Sequence, residues 1–272
     1  LFGDIRDEGF VSKNFNDCKT IINLAALIGI PYSYVAPNSY IESNVYGLLN
    51  LLNLATRNKK IHLIHTSTSE IYGTAKFVPI NELHPINPQS PYAASKVAGD
   101  SLAISYFKSF NTKVSIIRPF NAFGPRQSLR AVIPTIIFQA LKGKIISIGD
   151  TRPTRDFTYV EDLCDAFLKA IQNKKTFGEV INISSNFEIS INKVIKLIGT
   201  ILEKKLIIKS SKKRLRPKNS EVLRLYGSNL KAKKIIKWEP KNHGVKGYKK
   251  NLVKTIRWYK ENYYSLRRNS NY

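Results

Sequence analysis

Strand-like and helix-like segments alternate through the first half of this sequence. Two segments, residues 38–58 and 91–110, carry apolar side chains at helical spacing, and Ser90 and Pro91 supply an N-cap and a first-turn proline for the second. Short apolar segments typical of buried strands flank them: TIINLAA at 20–26, KIHLIHTST at 60–68 and KVSIIRP at 113–119. Strands that alternate with helices form parallel sheets. The pattern predicts an α/β fold with a doubly wound, mostly parallel sheet.

The second half is organised more loosely, and we expect it to form a smaller lobe. We place a first domain at residues 1–121 and this lobe at 122–272, with a segment at about 150–185 returning to the main sheet. The elements predicted there are helices at 133–142, 160–173, 191–203 and 245–262 and strands at 144–148, 179–184 and 206–209.

Composition excludes several classes of protein. The chain has 272 residues, of which 43% are hydrophobic, enough for a substantial core, and no apolar run approaches the 18 residues of a membrane span. Cys18 and Cys164 lie far apart, so a disulfide framework is not indicated and a cytoplasmic location is predicted. No metal site is expected, because the histidines show no ligand spacing; they are His62, His65, His84 and His243.

Positive charge is concentrated at the C-terminal end. The net charge is +25, and residues 201–272 hold 22 Lys/Arg against 4 Asp/Glu, which leaves +7 for residues 1–200. Such a basic segment can bind nucleic acid through phosphates. Its lysines, however, are scattered among Ile, Leu and Asn without an aromatic or finger-like motif. Solvated helix faces are the favoured interpretation, with attraction of an anionic substrate as a further one.

Small and polar residues follow the three predicted strands of the first half. Ala25 and Ala26 end one strand, residues 67–70 follow the next, and residues 119–121 follow the third. In open parallel sheets, ligands bind beyond the carboxyl ends of the strands. We therefore expect these three segments to line one crevice.

A tyrosine and a lysine four residues apart are the strongest chemical signal. Tyr92 and Lys96 in SPYAASK share one helix face, so the ammonium is expected to lower the pKa of the phenol and make it a usable base. A Thr68-Ser69-Glu70 triplet stands 22 residues earlier, counted from Glu70. The pair alone occurs on many helix surfaces, so it needs support from elsewhere in the chain.

Seven motifs in order supply that support from Leu1 to about Pro240. They are GDIRD, NLAAL, TSTSEIYG, YAASK, RPFNAFGPRQ, RDFTYVEDL and RPKNSEV. Together they resemble the extended short-chain dehydrogenase/reductases that act on nucleotide sugars, which implies a Rossmann-like sheet and an NAD cofactor. Within that family the chain looks most like NAD-dependent 4,6-dehydratases, of the UDP-N-acetylglucosamine type or the GDP-mannose type.

The resemblance implies a role for each motif residue. The implied catalytic residues are Thr68, Ser69, Glu70, Tyr92 and Lys96. The implied cofactor-binding residues are Asp4, Ile5, Leu24, Ala25, Ala26, Thr66, Ser67, Tyr92, Lys96 and Pro119. The implied substrate-binding residues are Thr68, Asn121, Arg126, Arg155 and Arg216, since arginine suits phosphate oxygens.

Glu70 is the residue that favours a dehydratase. A 4-epimerase needs no base at C5 of the sugar, whereas a 4,6-dehydratase must remove the C5 proton and expel the C6 hydroxyl. Many dehydratases of the family carry an Asp as the acid at the position of Ser69, so here Glu70 is expected to serve both steps. A UDP-glucuronate decarboxylase and an NDP-sugar 4-epimerase stay open as alternatives.

The resemblance also implies parts that this sequence does not contain. The family's opening βαβ unit, with its glycine-rich turn for the cofactor pyrophosphate, is expected before Leu1, and LFGDIRD is interpreted as the end of a strand and its loop. The chain as given is accordingly expected to bind NAD poorly, and an inactive truncated relic or a basic nucleic-acid-binding protein is the non-enzyme alternative. A homodimer through the helices at 38–58 and 91–110 is expected.

Overall fold

A computed structural model describes residues 1–211, 214–242 and 244–268. The strands are β1 (Thr20–Asn23), β2 (His62–Thr66), β3 (Val114–Pro119), β4 (Asn121–Phe123), β5 (Ile145–Ile148), β6 (Thr154–Tyr159), β7 (Val180–Ile183), β8 (Glu188–Ser190) and β9 (Ile207–Ser210). The α-helices are α1 (Glu8–Phe15), α2 (Ile30–Ser33), α3 (Pro37–Ile41), α4 (Gly47–Arg57), α5 (Pro91–Phe110), α6 (Val132–Lys142), α7 (Val160–Ile171), α8 (Ile191–Ile201), α9 (Leu230–Ile236), α10 (Gly244–Glu261) and α11 (Tyr263–Arg268).

The main sheet is parallel and covered on both faces. Its strand order is β1-β2-β3-β7, and each neighbouring pair runs parallel. Successive strand residues point to opposite faces, so Leu63 packs with the cluster of α1, α4 and α5, while Ile64 packs with the cluster of α7 and α9. The predicted doubly wound, Rossmann-like sheet is therefore confirmed.

The helix predicted at 38–58 exists but is interrupted by a wider turn. A π-helical turn at Glu42–Tyr46 joins α3 to α4. Within it, Asn44 is buried; its Oδ1 accepts from the backbone N–H of Leu27 at 2.8 Å, and its Nδ2 donates to Ser95 Oγ at 2.9 Å. The π turn thus ties the segment after β1 to α5, and π turns often occur at functional positions.

The helix α5 begins and ends as its sequence predicts. Ser90 Oγ accepts from the N–H of Ala93 at 3.1 Å, Pro91 occupies the first turn, and Asn111 at φ 52° closes the C-terminal end. An N-cap hydroxyl and a proline that lacks an amide both suit a helix start. This fixes the direction in which α5 leaves the edge of the sheet.

The second lobe is built on two small sheets and one apolar core. β4, β6 and β8 form a mixed sheet, and β5 pairs with β9 in parallel. Helices α6, α8 and α10 enclose the core against these strands. β7 pairs with β3 in the main sheet, whereas β6 does not join it. The division of domains at residue 121 stays a prediction.

Several elements were not predicted or have other limits. β1 and β2 are shorter than predicted. Residues 1–7 contain no strand, and α1 begins directly after them at Glu8, where the Asp7 side chain accepts from Phe10 N at 2.9 Å. β6 was missed because Arg155 and Asp156 are charged, which is unusual at buried strand positions. Of the helices in the described residues, none is long and apolar enough to cross a bilayer.

Candidate active site

Three strand ends meet at one edge of the main sheet. The parallel order places the segments after β1, β2 and β3 on the same side. Ser67 N donates to Ile117 O at 2.7 Å, and Phe120 N donates to Ile183 O at 2.8 Å, so the chain stays paired as it leaves β2 and β3. The edge predicted to form a crevice is therefore shared by residues 24–26, 67–70 and 119–121.

Helix α5 presents a line of buried polar side chains toward this edge. Tyr92, Lys96 and Asp100 recur every four residues, so they lie on one helix face, and all three are buried. The side chain of Thr68 lowers the pKa of Tyr92, which places the threonine hydroxyl near the phenol. Thr68 in turn caps a 3₁₀ turn at Ser69–Tyr72, with its Oγ1 accepting from Glu70 N at 3.2 Å. The predicted tyrosine and threonine are thus brought together.

The pKa of Tyr92 is raised in this structure, so the prediction of a lowered phenol pKa is wrong. Burial raises the pKa of Tyr92 above its ordinary value, the Thr68 side chain opposes this, and the nearby charge of Glu70 adds to it. Lys96 Nζ instead donates to the Thr66 carbonyl oxygen at 2.5 Å. Burial lowers the pKa of Lys96 to about 8, although Asp100 partly restores it. Desolvation outweighs spacing here, which helical periodicity alone cannot reveal.

Glu70 lies in a cluster of two arginines and two glutamates. Its residue is only 7% exposed, and its Oε2 lies 3.8 Å from Nη1 of Arg216. The same Arg216 atom lies 3.8 Å from Glu221 Oε1, and Arg155 Nη2 donates to that oxygen at 3.3 Å. Burial lowers the pKa of Arg155, while the charge of Glu70 raises it. The cluster therefore brings two carboxylates and two guanidinium groups together near Tyr92.

The other predicted residues occupy varied positions. Asp4 binds Arg6, with a shortest contact of 2.7 Å, and Ile5 packs beside Gly47 of α4. Asn121 begins β4, and its Oδ1 is buried without a hydrogen-bond partner. Arg126 is exposed at φ 66°, and within the described part of the chain no contact of the arginine–glutamate cluster involves it.

The residues predicted for the cofactor also include the strand ends themselves. Leu24 is exposed, Ala25 N donates to Asn23 Oδ1 at 3.1 Å, and Ala26 is partly buried. Pro119 is the last residue of β3, while Ser67 and Ser69 are buried beside Thr68. The Thr66 hydroxyl is buried with no hydrogen-bond partner. Thr66 and Asn121 thus leave polar atoms unsatisfied at this edge, as a site that receives a polar ligand would.

Sequence reasoning missed several residues that organise the site. Glu221, in the RPKNSEV motif, holds both arginines. Asp100 could have been found from its position eight residues after Tyr92 on the same helix face, and Arg118 as a lone charge in the apolar strand VSIIRP. Asn44 gave no signal, because the π turn that places it has no simple sequence pattern.

Across the described residues, no group of three or more His, Cys, Asp or Glu side chains is placed to hold a metal ion. Three of the four histidines are described, and His243 lies outside the described residues. Both cysteines are free thiols. The hydroxyl and charged groups near this edge are those of Tyr92, Lys96, Thr68, Glu70 and the two arginines.

Comparisons with known proteins agree with this arrangement. The GDP-mannose 4,6 dehydratase family model matches residues 1–250. A putative UDP-glucose 4-epimerase of Methanocaldococcus jannaschii is 31% identical over 265 residues, covering 95% of this chain and 83% of the relative. A dTDP-D-glucose 4,6-dehydratase of Homo sapiens is 30% identical over 268 residues, covering 97% of this chain and 75% of that protein.

A solved structure shows the same architecture. The crystal structure of dTDP-glucose 4,6-dehydratase from Bacillus anthracis in complex with NAD superposes with a TM-score of 0.85 at 30% identity, covering 96% of this chain and 79% of that one. The family match spans nearly the whole described chain. The chain therefore belongs to the GDP-mannose 4,6-dehydratase family, within the extended short-chain dehydrogenase/reductases that include NAD-dependent epimerases and dehydratases.

Proposed function

We propose that the protein is an NAD-dependent sugar-nucleotide 4,6-dehydratase that converts an NDP-hexose to its 4-keto-6-deoxy derivative. The observation that carries this proposal is the buried carboxylate of Glu70, whose backbone N–H binds Thr68 Oγ1 and whose charge raises the pKa of the nearby Tyr92. Hydride removal at C4 needs the tyrosine alone, but elimination of water across C5 and C6 needs a second base. The buried carboxylate of Glu70 beside Thr68 supports its assignment to that step.

The residues at the strand ends fit an NAD cofactor. Unsatisfied Thr66 Oγ1 lies next to the Thr66 carbonyl that Lys96 contacts, so a hydroxyl and an ammonium are available for a polar cofactor group. Lys96, Thr66, Ser67, Ala25 and Pro119 would hold it. A bound NAD would supply a hydride acceptor for C4 and a hydride donor for C6, and it would return to its starting state within each turnover.

Tyr92 and Glu70 divide the proton transfers between them. Tyr92, as phenolate, takes the O4 proton while Thr68 orients the hydroxyl. Glu70 then takes the C5 proton and delivers it to the departing C6 hydroxyl, which leaves as water. As a hydride returns to C6, C5 takes up one proton from solvent, and Tyr92 releases to solvent the proton that it took from O4. The net change is loss of one water from the substrate, and both side chains return to their starting protonation states.

Arg155 and Arg216 are the groups proposed to bind the substrate diphosphate. Glu221 contacts both guanidinium groups and so holds them near each other. Arginine binds phosphate oxygens through paired N–H donors. A diphosphate that engages Arg216 would compete with its contact to Glu70 at 3.8 Å. The substrate would thereby release the Glu70 carboxylate for chemistry as it binds.

UDP-N-acetylglucosamine is the sugar nucleotide that we propose as substrate, from the motif resemblance. A 4-epimerase is the second candidate, because a putative UDP-glucose 4-epimerase is 31% identical to the chain. An epimerase would use Tyr92 and Thr68 in the same way but leave Glu70 without a role at C5. The two reactions differ in product mass, since only dehydration removes water.

We also infer a cytoplasmic homodimer. Ile41 of α3 and Tyr46 of the π turn are exposed beside α5, and both would be covered if the helices at 37–57 and 91–110 packed against a second copy. The expected arrangement is a two-fold interface in which the same faces meet. A light-scattering mass of twice the chain mass, lost on Ile41→Glu, is the expected result.

Product analysis tests the proposed reaction. The chain is incubated with NAD and, separately, with UDP-N-acetylglucosamine, GDP-mannose, dTDP-glucose and UDP-glucuronate in deuterated water. We expect a product one water lighter, with deuterium at C5, from one of the hexose substrates. An epimer of unchanged mass, or release of CO₂ from the glucuronate, contradicts dehydration. Glu70→Gln is expected to abolish water loss while leaving the substrate bound.

A further inference from the structure

A buried guanidinium beside the site contacts both segments that carry its proposed catalytic groups. Arg118 Nε donates to Asp100 Oδ2 at 2.9 Å, and Arg118 Nη1 donates to the Tyr72 hydroxyl at 2.8 Å. Its carbon Cζ lies 5.2 Å from the centroid of the Tyr72 ring. All three side chains are buried. Arg118, Asp100 and Tyr72 take no part in the proton transfers proposed above.

The two partners belong to the two segments that carry the catalytic groups. Asp100 is on α5, one turn beyond Lys96 and two turns beyond Tyr92. Tyr72 ends the 3₁₀ turn that begins at Ser69 and contains Glu70. Arg118 itself is near the end of β3. One side chain therefore connects the helix of the proposed first base to the turn of the proposed second base.

The charges in this network are held in place rather than titrating freely. Burial raises the pKa of Asp100, but the contacts with His65 and Arg118 outweigh it and leave that pKa below its ordinary value. Burial lowers the pKa of His65, whose Nε2 lies 3.4 Å from Asp100 Oδ1. The Arg118–Asp100 pair is thus an ion pair with a neutral histidine beside it.

Tyr72 is a neutral phenol whose hydroxyl is held by two hydrogen bonds, one from Arg118 and one to Asn182. Burial raises the pKa of Tyr72, although Arg118 opposes this. Its hydroxyl accepts from Arg118 and donates to Asn182 Oδ1 at 2.8 Å. The backbone N–H of Asn182 donates to Glu82 Oε1 at 2.7 Å. The turn that contains Glu70 is therefore anchored to β3 and β7 through one phenol.

Stability alone is a weak reason for such a network. Buried ion pairs contribute little net stability, because desolvation offsets their attraction. The Arg118 guanidinium makes directional hydrogen bonds to two separate segments, α5 and the turn of Glu70. Apolar residues of the same volume would not provide such contacts. Hydrogen-bonded groups behind a site orient the groups that touch the substrate, and their loss typically costs about 10- to 100-fold in activity at metal sites.

We propose that Arg118 is a positioning residue that fixes the distance between the Tyr92 phenol and the Glu70 carboxylate. Its Tyr72 contact sets the turn of Glu70, and its Asp100 contact sets the helix face of Tyr92 and Lys96. The two contacts of Arg118 therefore affect different steps: the Tyr72 contact supports elimination, and the Asp100 contact supports C4 oxidation. This inference rests on the proposed dehydratase function for its kinetic part only.

Tyr72→Phe is the sharpest variant, and Tyr106→Phe is its matched control. Both changes remove one phenol hydroxyl that donates to an asparagine Oδ1, at 2.8 Å to Asn182 for Tyr72 and at 2.6 Å to Asn53 for Tyr106. Only Tyr72 also contacts Arg118. For Tyr72→Phe we expect kcat for water loss to fall about 10-fold with KM within about 2-fold, while C4 oxidation keeps its rate. Tyr106→Phe should leave both rates unchanged at the same oligomeric state.

Amide hydrogen exchange gives a readout that does not depend on activity. The N–H of Gly73 bonds to Glu70 O at 3.2 Å, and the N–H of Asn87 bonds to Ile71 O at 2.9 Å, so both report on the turn. Tyr72→Phe is expected to speed exchange of these amides and to leave those in the first turns of α5 unchanged. Tyr106→Phe should speed neither amide.

Substitutions at Arg118 complete the test. Arg118→Met should lower the rates of both C4 oxidation and water loss. Arg118→Lys keeps the charge but lacks the forked donors that reach both Asp100 and Tyr72, so relative to Arg118→Met it should restore one of these rates more than the other. Equal losses in Tyr72→Phe and Tyr106→Phe, or unchanged exchange at Gly73 and Asn87, overturn the positioning role. A wild-type protein without dehydratase activity overturns the proposed function instead, and the exchange measurement still decides the role of Arg118.

Discussion

Lys96 donates from Nζ to the carbonyl oxygen of Thr66 at 2.5 Å, so the lysine of the YxxxK pair holds the end of β2 rather than the phenol of Tyr92. This contact joins α5 to the strand that leads into Thr68 and Glu70. An ammonium buried in this way is costly for folding, because burial favours its neutral form. The Lys96 ammonium is therefore held in place at the site while its burial lowers the free energy of unfolding.

Lys96→Met is expected to stabilise the protein at pH 7 while abolishing activity. The folded pKa of Lys96 is about 8, below its ordinary 10.5, so the unfolded chain binds more protons between these values. The penalty is complete below pH 8 and disappears as pH rises through 10.5. We expect a gain of up to about 3 kcal/mol at pH 7 that shrinks at higher pH. Urea unfolding across this range measures it.

Lys59→Met is the control for that experiment. Lys59 Nζ also donates to a backbone carbonyl, that of Phe110 at 2.5 Å, but at an exposed position. Its substitution should change the free energy of unfolding by less than about 1 kcal/mol, without a trend between pH 7 and pH 10. A Lys96→Met variant that is no more stable than the wild type at any pH contradicts a buried, strained ammonium.

The activity of the holoenzyme should rise with pH below about pH 8, the pKa of Lys96. Burial raises the pKa of Tyr92, so the phenolate is the minor form and its share increases about tenfold per pH unit. Above the pKa of Lys96 the ammonium that we propose to hold the cofactor is lost, and the rise is expected to stop. Measurements of kcat/KM at graded pH test this, with Tyr92→Phe expected to lose at least about 1,000-fold and the pH dependence as well. A wild-type profile that falls from pH 6 to pH 8 would be incompatible with Tyr92 as the base.

Arg216→Met is expected to raise KM for the sugar nucleotide by about 10- to 100-fold, since charge-assisted hydrogen bonds are worth about 1.5–3 kcal/mol each. Arg152→Met is the matched control, because Arg152 pairs with Asp150 at 2.6 Å on a side chain that is 86% exposed. Steady-state kinetics at fixed salt compares the two variants. Equal KM values for Arg216→Met and the wild type would remove Arg216 from the diphosphate site.

Gly73→Ala should destabilise the protein by about 2 kcal/mol or more. Gly73 ends the turn of Glu70 at φ 63° and ψ −154°, and an added Cβ would lie 2.3 Å from the carbonyl oxygen of Asn87. Gly143→Ala provides the control, since its backbone is extended and a Cβ there meets nothing within 4 Å. Thermal unfolding of both variants measures the difference, and equal midpoints would show that the turn adapts.

The sequence predicts the elements better than it predicts their chemistry. Ser90 and Pro91 mark the start of α5 because capping is a local property, and strands 62–66 and 114–119 follow from apolar runs. Arg118 and Asp100 were not predicted as partners, because their pairing depends on tertiary contact between β3 and α5. The raised pKa of Tyr92 was not predicted for the same reason: burial is set by the whole fold.

The π turn at Glu42–Tyr46 makes this site sensitive to chain length as well as to side chains. A π turn contains one residue more than the α-helical turn it replaces. Loss of a single residue there would restore a regular helix and turn the side chain of Asn44 by about 100° around the axis, away from Leu27 and Ser95. The exact number of residues between α3 and α4 therefore matters for the site, because it sets the register that brings the Asn44 amide to α5.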